Sequence, residues 1–275
     1  MRCAWKELLA VLPPRMRQDV DRLGKDTLRE LRLRVGERAT MITANGVVPL
    51  NQTVTEDDVN FCVNAASAYS PWAAASVAKG YLTAPGGHRI GLCGNAVVKN
   101  GQLETIRRVR SLCIRVARDF PGIGKGIPTE KSLLVIGPPG WGKTTLLRDL
   151  IRCRSETGMQ MGVVDERGEL FPTDAFPAGP STDILTGCSK AEGIHILLRT
   201  MAPQCIAVDE ITQPEDCDAL AQAVGCGTTL LATAHASTVQ DLRKRPVYRP
   251  LLDIKLFDAV IAMQTDKSWR LERMD

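Results

Sequence analysis

The residue types and spacing best suited to chemistry lie in one glycine-rich segment, residues 137–144. The segment matches the pattern G-x-x-x-x-G-K-[ST] at every fixed position, between a predicted strand and a predicted helix. Glycines there let backbone N–H groups turn inward around a phosphate without Cβ clashes, and the helix start adds partial positive charge. The lysine of such a segment reaches the β- and γ-phosphates, and the Thr144 hydroxyl ligates Mg²⁺. The segment therefore predicts binding of ATP with Mg²⁺ by Gly137, Pro138, Pro139, Gly140, Trp141, Gly142, Lys143, Thr144 and Thr145.

Two acidic residues follow a short apolar run further along the chain. Asp209 and Glu210 come directly after Cys205–Val208. An apolar strand that ends in acids is common by itself, but after a phosphate segment it indicates one Mg²⁺-binding and one water-activating carboxylate. We therefore predict that Asp209 holds Mg²⁺, directly or through water, and that Glu210 polarises the attacking water.

Polar groups also end two other apolar runs. Glu166 and Glu169 lie just beyond Met161–Val164, and His235 ends a third run. The two glutamates compete with Glu210 for the role of general base, and the sequence does not choose among the three. His235 could act as a sensor of the γ-phosphate, or it could be a solvated loop histidine.

Short apolar runs alternate with helical stretches after residue 130, and these elements must position the groups above. Continuous apolar runs are typical of strands that are buried on both faces, and therefore of a parallel α/β sheet. The carboxyl ends of such strands meet at one sheet edge, where open α/β folds bind ligands. The predicted strands are Leu133–Ile136, Met161–Val164, Cys205–Val208, Thr229–Ala232 and Ala259–Met263.

The first 120 residues have a mixed α+β pattern. Strict alternation in Leu31–Val35 predicts a half-buried strand, and Asn-Gly pairs at 45–46 and 100–101 predict hairpin turns. Helices are predicted over Glu56–Tyr69 and from Ser70-Pro71 to a stop at Gly80. Two further strand-like pieces follow, at residues 81–83 and 88–98.

Length and composition favour two globular domains. The chain has 275 residues, 44% hydrophobic and 24% charged, which excludes a disordered chain and gives about two domains as a prior. The segment Phe120–Pro128 is dense in glycine and proline and marks a linker. We predict a smaller α+β domain over residues 1–120, a linker over 121–130, and an α/β domain over 131–275.

Several classes of protein are disfavoured. The nine cysteines contain no C-x-x-C pair, so neither a zinc ribbon nor a disulfide framework is indicated. No apolar run approaches the roughly 18 residues of a membrane span, and the N-terminus lacks a secretion-signal pattern. The expectation is a cytoplasmic protein, and contact with a membrane through a partner stays open.

Three further sequence motifs lie near the glycine-rich segment and belong together. They are the acidic stretch Asp165–Glu169, the pattern Leu-Arg-x-x-x-Pro over 198–203, and the pattern Thr-x-His-Ala over 233–236. As a set they resemble the type II and type IV secretion ATPases, a RecA-like superfamily. Within it, four segments resemble the stage III sporulation ATPases of endospore-forming bacteria, namely Gly86–Gly94, Val163–Arg167, Cys188–Gly193 and Ala207–Ile211.

This resemblance implies a fold, an activity and an assembly for the chain. It implies a RecA-like P-loop core after a smaller α+β domain, and an ATP-hydrolysing motor that forms a ring, most simply a hexamer. It also implies membrane-embedded channel proteins at the mother cell–forespore boundary as partners. Arginines of the N-terminal domain reach the γ-phosphate in related ATPases, and the candidates here are Arg107, Arg108, Arg110 and Arg115. A solvated strand face explains those arginines equally well.

Two other functions remain open at this stage. Residues 1–130 carry a net charge of +7 and the remainder −3, so a RecA-like nucleic-acid motor is an alternative. Only 4% of residues are aromatic, which leaves few stacking platforms for single strands, so there is no strong nucleic-acid signal. A nucleotide-gated assembly module with little turnover is the second alternative, although the Asp209–Glu210 pair argues against it.

Overall fold

The computed structural model describes residues 1–67, 77, 80–99 and 101–273. The chain divides into two compact units. The N-terminal unit comprises Met1–Asp119 with Pro172–Ala175, and the C-terminal unit comprises Phe120–Phe171 with Phe176–Asp275. The predicted linker, residues 121–130, belongs to the C-terminal unit. The division into separate domains with a linker stays a prediction.

The N-terminal unit is built on a six-stranded antiparallel sheet with the strand order β3-β2-β1-β6-β5-β4. Burial alternates in β1 from Leu31 onward, with Leu31 and Leu33 buried in the core of this unit, as the sequence pattern predicts; Leu28 is also buried. Its elements are α1 (Trp5–Val11), α2 (Pro14–Leu23), β1 (Leu28–Arg34), β2 (Arg38–Thr43), β3 (Gly46–Thr53), α3 (Glu56–Ala66), β4 (Tyr81–Thr83), β5 (Arg89–Lys99) and β6 (Gln102–Arg115).

Local sequence explains the turns and the helix start in this unit. Gly46 has a φ of +130° in the hairpin between β2 and β3, which confirms the predicted turn. Thr55 and Asp58 form a reciprocal capping box at the start of α3. The predicted helix over Glu56–Tyr69 is therefore confirmed up to Ala66. The helix predicted from Ser70-Pro71 to Gly80 lies outside the described residues, apart from Val77 and Gly80.

The C-terminal unit is built on a seven-stranded sheet with the strand order β13-β12-β7-β11-β10-β8-β9. All neighbouring strands are parallel except β12 and β13. Its elements are β7 (Leu133–Ile136), α4 (Lys143–Glu156), β8 (Met161–Asp165), β9 (Thr182–Thr186), α5 (Lys190–Thr200), β10 (Cys205–Val208), α6 (Pro214–Gly225), β11 (Thr229–Ala234), α7 (Val239–Lys244), α8 (Arg249–Asp253), β12 (Ala259–Met263) and β13 (Trp269–Arg273).

The central strands are buried on both faces. In β7, Leu134 and Ile136 belong to one apolar cluster, whereas Leu133 and Val135 belong to another. This arrangement confirms the predicted parallel sheet and all five predicted strands. The sequence did not reveal β9 and β13, because these edge strands are only partly covered and carry polar residues.

All nine cysteines are free thiols, and Cys205 is buried as a small apolar residue. No helix in the described part of the chain combines the length and the apolar character that a membrane crossing requires.

Candidate active site

The glycine-rich loop lies between β7 and α4 in the C-terminal unit. Gly140 and Gly142 have φ values of +78° and +97°, a left-handed conformation that side chains with a Cβ rarely adopt. Gly142 caps the start of α4, and no side chain bonds to the first N–H groups of this helix. N–H groups at the positive end of a helix suit an anion, and phosphate binding at this loop stays a prediction.

Trp141 is large for a variable position of this loop. Its side chain is half-buried and packs against the apolar cluster that includes Leu146, Ile261 and Met263. The indole therefore attaches the loop to the sheet by apolar contact.

Lys143 is held by two neighbours at the mouth of the loop. Its Nζ donates a hydrogen bond to the Pro138 carbonyl at 3.1 Å and lies 2.9 Å from Nδ1 of His235. Burial lowers the pKa of the Lys143 ammonium, and the charges of Asp209 and Glu210 act in the opposite direction. The two carboxylates therefore favour the charged form of Lys143 and oppose the effect of burial.

Both oxygens of Asp209 are engaged by hydroxyl groups. Thr144 donates from Oγ1 to Oδ2 at 2.9 Å, and Thr233 donates from Oγ1 to Oδ1 at 2.7 Å. The Thr233 hydroxyl in turn accepts the backbone N–H of Glu210 at 2.8 Å. Burial raises the pKa of the Asp209 carboxyl, and the two hydroxyl donors oppose that rise.

The residues present fit Mg²⁺. The ion prefers oxygen ligands and in nucleotide sites takes one or two from the protein, the rest coming from phosphates and water. The Thr144 hydroxyl and the Asp209 carboxylate lie in direct contact and supply such oxygens. Within the described residues, no group of three or more His, Cys, Asp or Glu side chains could hold a metal ion by itself.

Glu210 and His235 form a second link across the site. Oε1 of Glu210 lies 3.0 Å from Nε2 of His235, whose other ring nitrogen meets Lys143. Because the lysine donates to Nδ1, Nε2 carries the hydrogen that faces Glu210. Glu210 has a φ of +48°, a strained conformation for a residue with a side chain, and such strain is concentrated at functional sites.

Asp165 shapes the loop after β8. Its carboxylate accepts the backbone N–H groups of Glu169 at 2.9 Å, Leu170 at 2.9 Å and Phe171 at 3.2 Å. Burial raises the pKa of Asp165, and these N–H groups oppose the rise. Asp165 therefore fixes the backbone on which Glu166 and Glu169 stand.

The loop after β8 faces the loop after β10 across a small cavity. The sheet order places the ends of β11, β10 and β8 side by side, which confirms the predicted convergence of three strand ends. The cavity is lined by Asp165, Glu166, Arg167, Glu169, Lys190, Asp209, Glu210 and Thr212.

Two residues of this site were missed by the sequence reasoning. Lys190 lies 2.6 Å from Glu166, and Thr233 orients Asp209. Thr233 could have been found, since it opens the Thr-x-His-Ala pattern. Lys190 could not, because one lysine at a helix start has no chemical signature in a sequence.

The candidate arginines lie in the N-terminal unit. Arg107, Arg108, Arg110 and Arg115 stand on β6 with exposed side chains. Arg108 has a φ of +46° beside a β-bulge, where Gly94 of β5 approaches its backbone closely. A role for these arginines at a phosphate stays a prediction.

The parallel sheet, the glycine-rich loop and the acidic strand ends define a P-loop protein with the RecA-like secretion-ATPase fold. The chain is similar to the ATPase DotB of Legionella pneumophila, with a TM-score of 0.60, 18% identity, and coverage of 94% of this chain and 78% of that one. It is also similar to the pilus retraction motor PilT with bound ADP, with a TM-score of 0.64, 15% identity, and coverage of 92% and 79%. At these identities the likeness shows the fold.

The family follows from sequence comparison. The family model "Sporulation stage III, protein AA" matches residues 5–270. Stage III sporulation protein AA of Bacillus subtilis (strain 168) is 34% identical over 95% of this chain and 91% of its own length. The chain belongs to the stage III sporulation protein AA family, which confirms the resemblance seen in its motifs.

Proposed function

We propose that this chain is an ATP-hydrolysing motor of the secretion-ATPase type that acts in sporulation. The observation that carries the proposal is the meeting of the ends of β10 and β11 at the glycine-rich loop after β7. There, Lys143 and Thr144 contact His235 and Asp209, and His235 contacts Glu210. Family membership and the fold support the same reading.

Binding would rest on the loop and the first turn of α4. Backbone N–H groups over Gly140–Thr145 would hold the phosphates, with the Lys143 ammonium beside the β- and γ-phosphates. Thr144 and Asp209 would hold Mg²⁺, which when bound neutralises phosphate charge. Thr233 would keep the Asp209 carboxylate in the required orientation.

Glu210 is our proposed general base. It follows Asp209 directly, and its carboxylate is oriented by His235 at 3.0 Å. It would accept the proton of the attacking water while Lys143 stabilises the charge that develops on the γ-phosphate. Glu166 is less suited, because its carboxylate is already paired with Lys190 at 2.6 Å. Glu169 is the remaining alternative.

The proposed motor function also implies an assembly of several copies of the chain. We propose a ring oligomer, most simply a hexamer, that docks from the cytoplasm on membrane-embedded channel proteins of a sporulation complex. Arg107, Arg108 and Arg115 would reach the γ-phosphate from the N-terminal unit, supplying charge stabilisation. Loss of that phosphate on hydrolysis would release these contacts and let the two units move.

Turnover of the purified full chain tests the proposal. We expect Lys143→Ala to lower ATPase activity by about 100-fold or more, because a phosphate-binding charge is lost. Glu210→Gln should abolish turnover while ATP still raises the melting temperature, whereas Glu166→Gln and Glu169→Gln should stay within about tenfold of wild type. Wild-type turnover in Lys143→Ala would refute the proposal. Solution mass with and without a non-hydrolysable ATP analogue tests the ring.

A further inference from the structure

Lys190 is a buried cation that the mechanism above does not use. It is the first residue of α5, and its side chain is only 8% exposed. Lysine is almost never buried without a partner, because removing the ammonium from water is costly. Its position therefore calls for anionic partners.

Two carboxylates from different elements supply them. Nζ of Lys190 lies 2.6 Å from Oε2 of Glu166, on the loop after β8. It also lies 3.7 Å from Oδ2 of Asp216, in the first turn of α6, and the Asp216 side chain is 5% exposed. One ammonium thus joins a half-exposed acid of one loop to a buried acid of another element.

Asp216 connects this ion pair to the chain that follows Glu210. The same oxygen, Oδ2, accepts the backbone N–H groups of Thr212 at 3.0 Å and Gln213 at 3.1 Å. Thr212 stands two residues after Glu210 and lines the cavity with it. Lys190 is therefore linked, through one carboxylate, to the loop that carries the proposed general base.

Close packing of α5 against β8 fixes the backbone position of Lys190. Gly193 stands one helical turn later, and a Cβ there would lie 2.5 Å from Cγ1 of Val164 on β8. Only glycine lets α5 approach β8 this closely. The helix start is also capped, since Ser189 accepts the N–H of Glu192 at 3.3 Å.

We propose that Lys190 is a positioning residue for ATP hydrolysis: its ammonium ties Glu166 to Asp216, and so fixes the loop after β8 against the loop that carries Glu210. The inference rests on the proposed function. Lys190 makes no described contact with the glycine-rich loop, so its loss should affect the hydrolysis step and leave nucleotide binding nearly unchanged.

The test measures kcat and KM for ATP in the full chain. We expect Lys190→Met to lower kcat by about tenfold or more with KM within about threefold, as for residues that orient a catalytic group. Lys190→Arg keeps the charge and should recover most of the lost kcat. Ser189→Ala weakens the start of the same helix without removing the ion pair, and it should keep near-wild-type kcat.

A double substitution tests the link to Glu166. If the lysine acts partly through that carboxylate, Glu166→Gln should lower kcat less in the Lys190→Met background than in wild type. Independent, multiplying effects would contradict this link. Should Lys190→Met not fold, Lys190→Gln removes the charge while keeping a donor, and an unchanged kcat in that variant would overturn the proposal.

The two proposals fail in different ways. If the wild-type protein shows no ATP turnover, or if its turnover does not depend on Lys143, the proposed function and this inference are refuted together. Turnover that is lost in Lys143→Ala but kept in Lys190→Met would refute the inference alone. An equal loss of kcat in Ser189→Ala and Lys190→Met would also refute it, because helix stability would then explain both.

Discussion

Charged side chains lie at different places relative to the two sheets of this protein. In the antiparallel sheet of the N-terminal unit, burial alternates along strands such as β1, so one face can carry arginines in contact with water. In the parallel sheet, β7, β10 and β12 are buried throughout, and charged groups collect beyond the strand ends and along α4. Charged residues buried in the C-terminal unit are Lys143, Arg148, Asp149, Arg152, Arg154, Asp165, Lys190 and Asp216.

This difference explains where chemistry can occur. A sheet covered on both faces leaves only its edges to polar groups, so the side chains there must bond to one another. An alternating sheet has an exposed face, where an ion pair such as that of Arg115 with Glu30 stays in contact with water and contributes little to stability. The same chain can therefore hold one pre-organised polar site and one adaptable basic surface.

The largest expected effect separates an ion pair that is buried on both sides from one whose cation is exposed. Asp149, at 1% exposure, accepts the N–H groups of Gly122 and Gly124 and pairs with Arg152. Asp149→Ala should lower the free energy of unfolding by about 3–5 kcal/mol, because it removes a buried carboxylate that pairs with Arg152 and accepts two backbone N–H groups. The matched change in the N-terminal unit, Arg15→Ala, should cost about 1 kcal/mol, since the Arg15 side chain is 44% exposed beside Asp58.

Urea unfolding of the two variants measures both costs. A single cooperative transition allows direct comparison, and two separate transitions would assign each loss to its own unit. Equal losses in the two variants would contradict the contrast between the units.

A smaller effect distinguishes a threonine near the end of a strand in each unit, Thr233 in β11 and Thr43 in β2. Thr233→Val removes one hydroxyl donor from Asp209 and the acceptor for the N–H of Glu210, so kcat should fall by about tenfold. Thr43→Val in the N-terminal unit removes hydrogen bonds to Gly46 and Asn45, and it should affect stability alone. Steady-state kinetics of the Thr233→Val and Thr43→Val proteins measure this difference. Equal kcat values in the two variants would contradict a role for Thr233 in orienting Asp209.

The smallest effect concerns a buried histidine of the N-terminal unit. His88 is fully buried, accepts the N–H of Ala117 at Nδ1 and meets the Ala4 carbonyl through Nε2, so its neutral form is the one that fits. Burial lowers the pKa of His88, so the unfolded chain binds the proton more tightly than the folded one. The histidine's contribution to stability is present above about pH 6.5 and is lost as pH falls through the folded-state pKa.

Unfolding free energies measured between pH 7 and pH 5, about the range in which histidine titrates, check this expectation. Wild-type stability should fall more steeply than that of His88→Gln, by at most about 1.4 kcal/mol per pH unit. Parallel curves would show that His88 does not titrate with unfolding.

A local sequence pattern predicts structure best where one short segment determines its own geometry. The phosphate loop needs glycines at fixed positions, so its pattern predicted the loop between β7 and α4. Continuous apolar runs predicted the central strands, because burial on both faces excludes polar residues there. The edge strands β9 and β13 were not predicted, because strands that are only partly covered have a weaker hydrophobic pattern.

Pairings between distant segments needed the fold. Asp209 and Thr233 are each visible as strand-end residues, but their 2.7 Å contact depends on β10 and β11 being neighbours. Among three candidate glutamates, only tertiary contacts separate Glu210, which faces His235, from Glu166, which faces Lys190.

The sequence alone therefore determined the glycine-rich loop, the strands that end in acids, and the family, because each depends on short segments of the chain. The tertiary structure alone decided which acid meets which base. Strand order and helix docking bring together groups tens of residues apart, and no local pattern encodes the distance between them.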